Sequence, residues 1–219
     1  MMKQQDIGER ISVFAESLHA EESPELRALE REALENNIPI IRPQTRGLIQ
    51  CILEMTAPSR ILEVGTAVGY SALVMDTYAP CACTIVTIER DAQRAAQARK
   101  NFEKFEADRI TLLEGDAAQI LPGLSGSFDF VFMDAAKGQY IRFLPDAIRL
   151  LAPGGIMITD NILQEGEILS SRFAVTRRNR TIHARMRAYI RALMEEERLE
   201  TLLLPTGDGA AVSMKKENL

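Results

Sequence analysis

The sequence predicts a doubly wound α/β fold, a mainly parallel sheet closed by a C-terminal antiparallel hairpin. Three observations predict it. From Arg60 onward, short apolar runs ending in an acid or glycine alternate with helical stretches. Each run is mostly apolar on both faces, as a parallel strand buried between two layers of helices should be. The last two runs are joined by Pro205-Thr206-Gly207-Asp208-Gly209, a turn-rich link suited to a hairpin.

The elements follow in order. Residues 1–40 carry nine acids against four bases, and apolar residues recur at Ile7, Ile11, Phe14, Leu18, then Leu26, Leu29 and Ala33. That spacing gives amphipathic helices, with a break near Ser23-Pro24. A further helix is expected at about 44–56, after the Pro39 and Pro43 breaks. Residues 1–56 thus read as a helical extension of one domain spanning 1–219. Five parallel strands are expected at Ile61–Val64, Thr84–Ile88, Ile110–Leu113, Phe128–Met133 and Ile156–Thr159. Helices are expected at Tyr70–Tyr78, Asp91–Phe105 and Tyr140–Leu151. Repeated βα units imply a parallel sheet. A long basic helical stretch follows Asn161, and strands at Glu200–Leu204 and Ala210–Met214 close the chain.

Composition bounds the function. The chain has 219 residues and a net charge of -5; 46% of residues are hydrophobic and 26% charged, which is ordinary for a soluble globular domain. The acidic balance argues against non-specific coating of nucleic acid. No apolar run reaches the ~18 residues that span a bilayer, and Met1–Phe14 lacks the apolar region of a signal peptide. Cys51, Cys81 and Cys83 stand at no metal or redox spacing, which fits a reducing cytoplasm. With only His19 and His183 as histidines, His-rich zinc sites and a His-based hydrolase triad are disfavoured.

The first parallel strand ends Glu63-Val64-Gly65-Thr66-Ala67-Val68-Gly69-Tyr70-Ser71. Glycines there let the backbone approach a ligand and turn into a helix. Ala67 replaces the second glycine of a dinucleotide motif, and no Lys-Ser/Thr follows as in a P-loop. A loop carrying Glu63 suits a ligand with a positive centre and no phosphate, and S-adenosylmethionine is one. Glu89 ends the next strand, where an acid can accept from two ribose hydroxyls. The third strand ends Glu114-Gly115-Asp116-Ala117. Asp116 is placed there to accept from an adenine amino group, and Ala117 to supply a backbone N–H. All these acids stand at the carboxyl edge, where open α/β sheets bind ligands.

The fourth strand runs into Asp134-Ala135-Ala136-Lys137 and the fifth ends Thr159-Asp160-Asn161. Two carboxylates and an amide oxygen, without His or Cys, suit a hard cation such as Mg²⁺. A hydroxyl bound to such a metal loses its proton more readily, and Lys137 is placed as general base.

These pieces, together with Thr87-Ile88-Glu89 and Gly115-Asp116-Ala117, occur in one order. From about Ile38 to Lys215 the chain resembles the cation-dependent O-methyltransferases, the group containing catechol and caffeoyl-CoA O-methyltransferases. The resemblance implies a Rossmann-like class I methyltransferase fold with a seven-stranded sheet, and S-adenosylmethionine as methyl donor. It implies Mg²⁺ on Asp134, Asp160 and Asn161, Lys137 as base, and methyl transfer to one of two adjacent metal-chelating oxygens. By position it adds Ile41 and Ser71 to the donor site beside Glu63, Gly65, Glu89, Asp116 and Ala117. It also places Asp134 between donor and metal, and it implies a homodimer.

Between Ile168 and Met194 stand seven arginines (172, 177, 178, 180, 185, 187 and 191) and no acid. Arginine suits phosphates bidentately, so Arg177, Arg178 and Arg180 read as RNA-binding. Set against this is a solvated helix that balances the acidic N-terminal region. This segment, the 205–209 link and the Met214-Lys215-Lys216 ending resemble the bacterial branch that methylates 5-hydroxyuridine in tRNA, giving 5-methoxyuridine at the wobble position. Asn179 interrupts the arginine run where that branch leads one to expect a fuller basic stretch. In 5-hydroxyuridine the O5 hydroxyl adjoins the O4 carbonyl, a pair that chelates Mg²⁺ much as catechol oxygens do. The expected partner is therefore a tRNA anticodon loop and not a membrane. A small-molecule catechol-type methyltransferase is the alternative. A non-catalytic binding module is disfavoured by the intact Asp134, Lys137, Asp160 and Asn161.

Overall fold

The computed structural model describes residues 10, 13–14, 17–18, 22–164, 166–171 and 173–217. Ile7, Ile11, His19 and Arg172 lie outside the described residues.

Seven strands form one sheet: β1 (Arg60–Val64), β2 (Thr84–Glu89), β3 (Ile110–Glu114), β4 (Phe128–Met133), β5 (Leu151–Thr159), β6 (Leu199–Leu204) and β7 (Ala210–Lys215). Their order is β3-β2-β1-β4-β5-β7-β6. The first five pair in parallel. β7 inserts antiparallel between β5 and β6, so the expected hairpin is present, with β6 outermost.

The strands are apolar on both faces because both faces are covered. Leu62, Val64, Val131 and Met133 pack into one buried cluster with Tyr140, Phe143, Met186 and Tyr189. Ile61, Phe130 and Phe132 point the other way, against Leu26, Leu29, Ile49, Leu53 and Phe102. The second layer holds α1 (Pro24–Glu35), α2 (Pro43–Thr56), α3 (Tyr70–Tyr78) and α4 (Ala92–Lys104). The first layer holds the short α5 (Ala117–Ile120), α6 (Tyr140–Leu150) and α7 (Arg180–Glu195). Among the described residues no helix is long and apolar enough to cross a membrane.

Local chemistry explains the helix ends. Ser23 caps α1 by accepting from the Leu26 N–H at 3.2 Å, with Pro24 in the first turn. Asp91 caps α4 through the Gln93 and Arg94 N–H groups at 2.9 and 3.0 Å. Of the expected N-terminal pattern, Leu26, Leu29 and Ala33 are buried, whereas Phe14 and Leu18 are exposed.

Two expectations need correction. β5 begins at Leu151, not Ile156. Gly154, at φ +73°, accommodates an irregularity in the pairing between Phe128 and Phe130 that lets the strand continue through a Pro-Gly-Gly sequence. The basic stretch after Asn161 is not one long helix. Among the described residues it is irregular apart from a 3₁₀ turn at Glu167–Leu169, and α7 starts at Arg180. Asn179 donates to both carboxylate oxygens of Glu167 at 2.9 and 3.0 Å, tying the start of α7 to that turn.

Candidate active site

The strand order reverses between β1 and β4. The chain builds outward from β1 to β3, then returns to place β4 on the other side of β1. Such a switch point opens a crevice at the carboxyl ends of the strands. A cavity of about 740 Å³ lies there, with walls from the β1, β2, β3 and β4 tips and from Pro39–Ile41.

The glycine loop is shaped by close approach. Gly65 sits at φ +107°, and a Cβ there would stand 2.0 Å from the Asp134 carbonyl oxygen. Only glycine lets β1 and β4 end this close together. Ala67, at φ +47°, donates its N–H to Glu89 Oε2 at 2.8 Å. Glu89 Oε1 accepts from the Asp91 N–H at 2.8 Å. The carboxylate is thereby held rigidly at the cavity wall, and each oxygen keeps capacity for a second bond.

Ile41, Gly65, Ser71, Glu89, Asp116, Ala117 and Asp134 all line this cavity. Asp116 also caps α5 by accepting from the Ala118 N–H at 2.9 Å. Glu63 departs from expectation. It is fully buried beneath the cavity, accepting from Ser71 Oγ at 2.5 Å and from the Thr87 hydroxyl, and it does not line the wall. Its inward side chain on a doubly covered strand points into the sheet's packing, so it reaches the cavity only through Ser71. Burial pushes its carboxyl up to about 7 against the Ser71 and Thr87 hydrogen bonds, and the Asp134 and Glu89 charges add to the rise.

The β4 and β5 tips converge through the backbone. The Asp134 N–H donates to the Val64 carbonyl, and the Asp160 N–H to the Met133 carbonyl, each at 3.0 Å. Asn161 adopts φ +60°, a left-handed conformation that asparagine tolerates. Its Nδ2 lies 3.1 Å from Asp134 Oδ1. Asp160 is buried and lines neither cavity described here; its Oδ1 accepts from Thr45 Oγ1 at 3.1 Å and from the Asn161 N–H at 2.8 Å. Burial, then the Asp160 charge, raises Asp134 to about 7. Burial raises Asp160 as well. A buried Asp160 whose charge raises a half-buried Asp134, with the Asn161 side-chain amide beside them, is a donor set that fits a hard cation. No cluster of three or more His, Cys, Asp or Glu side chains suited to a metal occurs among the described residues.

Lys137 opens a 3₁₀ turn, Lys137–Gln139, and lines this cavity and a second one of about 590 Å³. The second cavity is walled by Gly138, Gln164, Glu167, Asn179 and Ile182 besides the shared Arg90, Ala136, Lys137 and Gln139. Lys137 Nζ donates to Asp208 Oδ2 at 3.0 Å. Arg177 and Arg178 are exposed in the turn before α7. Arg180 is half-buried at the start of α7, its Nε donating to the Val175 carbonyl at 3.2 Å. None of the three lines either cavity.

Sequence reasoning missed Thr45, Asp208 and Arg46. Arg46 pairs with Glu22 at 3.2 Å and donates to the Tyr70 hydroxyl at 2.9 Å, linking the N-terminal segment to a cavity-lining residue. Only Asp208 carried a signal, its place in a turn between two strands. The other two sit on a helix face with nothing in the local pattern to mark them.

Sheet order, antiparallel β7 and a cavity over the strand tips define a class I methyltransferase fold. The SAH-bound methyltransferase PaMTH1 of Podospora anserina shares it with a TM-score of 0.86 at 26% identity, over 99% of this chain and 98% of that one. Residues 16–216 match the model of the O-methyltransferase family, and the chain belongs to that family. A catechol O-methyltransferase of Niastella koreensis is 31% identical over 170 residues, 74% of this chain and 77% of the relative. Caffeoyl-CoA O-methyltransferase 1 of Eucalyptus globulus is 29% identical over 168 residues, 74% of this chain and 68% of the relative.

Proposed function

We propose that this O-methyltransferase moves the methyl group of S-adenosylmethionine to the 5-hydroxyl of 5-hydroxyuridine in tRNA, at the wobble position, with Mg²⁺. The carrying observation is a shared wall. Lys137 lines both the cavity over the glycine loop and the second cavity beside α7, next to the Asp134–Asn161 pair.

Each residue then has a physical task. Glu89 accepts from ribose hydroxyls, Asp116 accepts from the adenine amino group, and the Ala117 N–H donates to the ring. Gly65 allows the donor to lie against the backbone. Asp134, Asp160 and Asn161 hold the cation, which when bound supplies charge that acidifies a chelating hydroxyl. Lys137 Nζ takes the hydroxyl proton. Alignment of the acceptor oxygen with the donor methyl accounts for much of the rate gain.

For the acceptor, the exposed Arg177 and Arg178 precede α7, whose Ile182 walls the second cavity. Exposed arginines beside an acceptor cavity suit a phosphodiester backbone, and an anticodon-loop base is turned outward at modest cost. The reading includes a cytoplasmic homodimer. A catechol-type acceptor is the second reading, favoured by the names of the relatives.

Labelled S-adenosylmethionine, incubated with tRNA lacking the wobble methoxy group and followed by nucleoside analysis, tests the choice. 5-Methoxyuridine is the expected product; turnover of a catechol without it overturns the tRNA reading. Replacing Arg177 and Arg178 by Glu is expected to weaken tRNA methylation by about tenfold or more while sparing a catechol. Equal losses on both would remove these arginines from RNA binding.

A further inference from the structure

The turn between β6 and β7 touches three parts of the candidate site at once. Its Asp208 carboxylate accepts from Lys137 Nζ at 3.0 Å. Its backbone carbonyls at Asp208 and Gly209 accept from the Leu163 and Ile162 N–H groups at 2.9 and 3.0 Å, fixing the chain just after Asn161. Gly207 lies against Thr45, the residue that bonds Asp160; a Cβ on Gly207 would stand 3.2 Å from Thr45 Oγ1. Gly209 lets Leu163 pack where a Cβ would meet its Cγ at 2.2 Å. Both glycines hold positive φ, +59° and +81°. The turn is therefore clamped from two sides, and Asp208 is clamped with it.

The two partners of the ion pair are unequal. The Asp208 side chain is 5% exposed and the Lys137 side chain 33%. Asp208 is the fixed member, while Lys137 reaches it through a flexible four-carbon stem that carries about 2 kcal/mol of rotamer entropy. A fixed carboxylate at the far end of that stem selects one placement for the nitrogen.

We propose that Asp208 is a positioning residue for methyl transfer. It holds Lys137 Nζ on the wall common to the two cavities, where the acceptor proton has to be taken. The inference rests on the reading of Lys137 as base. In the transfer, unprotonated Nζ, having released its extra proton to water, forms an N–H bond as the acceptor O–H bond breaks. The oxygen electron pair forms the O–CH₃ bond while the S–CH₃ pair stays on sulfur.

The test is a double-mutant cycle on full-length protein, with the acceptor that the wild type turns over. Asp208→Asn is expected to lower kcat about ten- to a hundredfold, the scale of a misplaced group, and Lys137→Met to lower it further. The double variant should be no slower than Lys137→Met alone, because the proposed role of Asp208 runs through that lysine. The Asp208 charge also acts on Asp160, so metal affinity is read on each variant to separate the two effects. SAH affinity and the melting temperature are read on every variant. Asp208→Glu, which keeps the charge, should recover part of the rate and serves if the Asn variant does not fold. Multiplicative losses in the cycle, or full activity in Asp208→Asn, overturn the positioning role while leaving Lys137 as base. Wild-type rate in Lys137→Met overturns that reading and this inference together.

Discussion

The two halves of the proposed site, one read as holding the methyl donor and the other the acceptor, are built differently. The donor half comes from short contiguous segments, each closing its own βα unit: Gly65 to Ser71, Glu89, then Asp116 and Ala117. Its geometry is set largely between successive βα units, as where Ala67 on the glycine loop bonds Glu89, 22 positions on at the next strand tip. The acceptor half gathers side chains from α2, the β4 and β5 tips and the β6–β7 turn. The Thr45–Asp160 bond joins residues 115 positions apart, and Lys137–Asp208 joins residues 71 apart. A half made of local motifs tolerates change elsewhere in the chain; a half made of distant contacts depends on the whole packing.

The sharpest way to separate the halves is Asp160→Ala. Methyl transfer should fall by about a thousandfold, the upper range for losing one charge-stabilising group, while SAH affinity by calorimetry stays within about twofold of wild type. Loss of SAH binding as well would mean that the halves are not separable. Thr45→Val removes the hydroxyl that holds Asp160 and leaves the shape. Metal affinity, read by Mn²⁺ titration, should fall about ten- to a hundredfold, with SAH affinity again unchanged. Glu89→Gln probes the other half. SAH should bind about tenfold more weakly, in line with a charged hydrogen bond weakened, and Mn²⁺ affinity should not move.

The smallest effect concerns stability. Burial and the Asp160 charge raise Asp134 to about 7 in the folded chain, above the ordinary carboxylate range. The folded protein therefore holds a proton that the unfolded chain has lost, and stability falls as pH rises from about 4 through 7. Metal-free protein should melt a few degrees lower at pH 8 than at pH 5.5. Asp134→Asn should lessen that dependence without abolishing it, because Glu63 is raised to about 7 as well, and Mg²⁺ at pH 8 should restore the wild type. Calorimetric melts across pH check all three; a wild type that gains stability above pH 6 would contradict the buried-acid account.

The basic segment shows where a local pattern misleads. The sequence reads as a long basic helical stretch after Asn161. The chain instead packs Leu163 against Gly209 and turns at Glu167–Leu169 before α7 begins. Asn179, read as an interruption in the arginine run, is the residue that pins α7 to that turn. Glu63 shows packing that the motif does not record. Its place in the glycine-loop motif suggested ligand contact, and burial under Ser71 gave it a supporting task.

The sequence by itself determined the sheet, its closing hairpin and the glycine loop at its carboxyl edge. Apolar runs, acids at strand tips and glycines at positive φ act over a few residues, within reach of pattern. Tertiary structure alone decided that Thr45 holds Asp160, that Asp208 holds Lys137 and that Glu63 sits below the cavity. Those contacts join segments whose separation is closed only when both helical layers pack on the sheet, and no local periodicity records which side chains then meet.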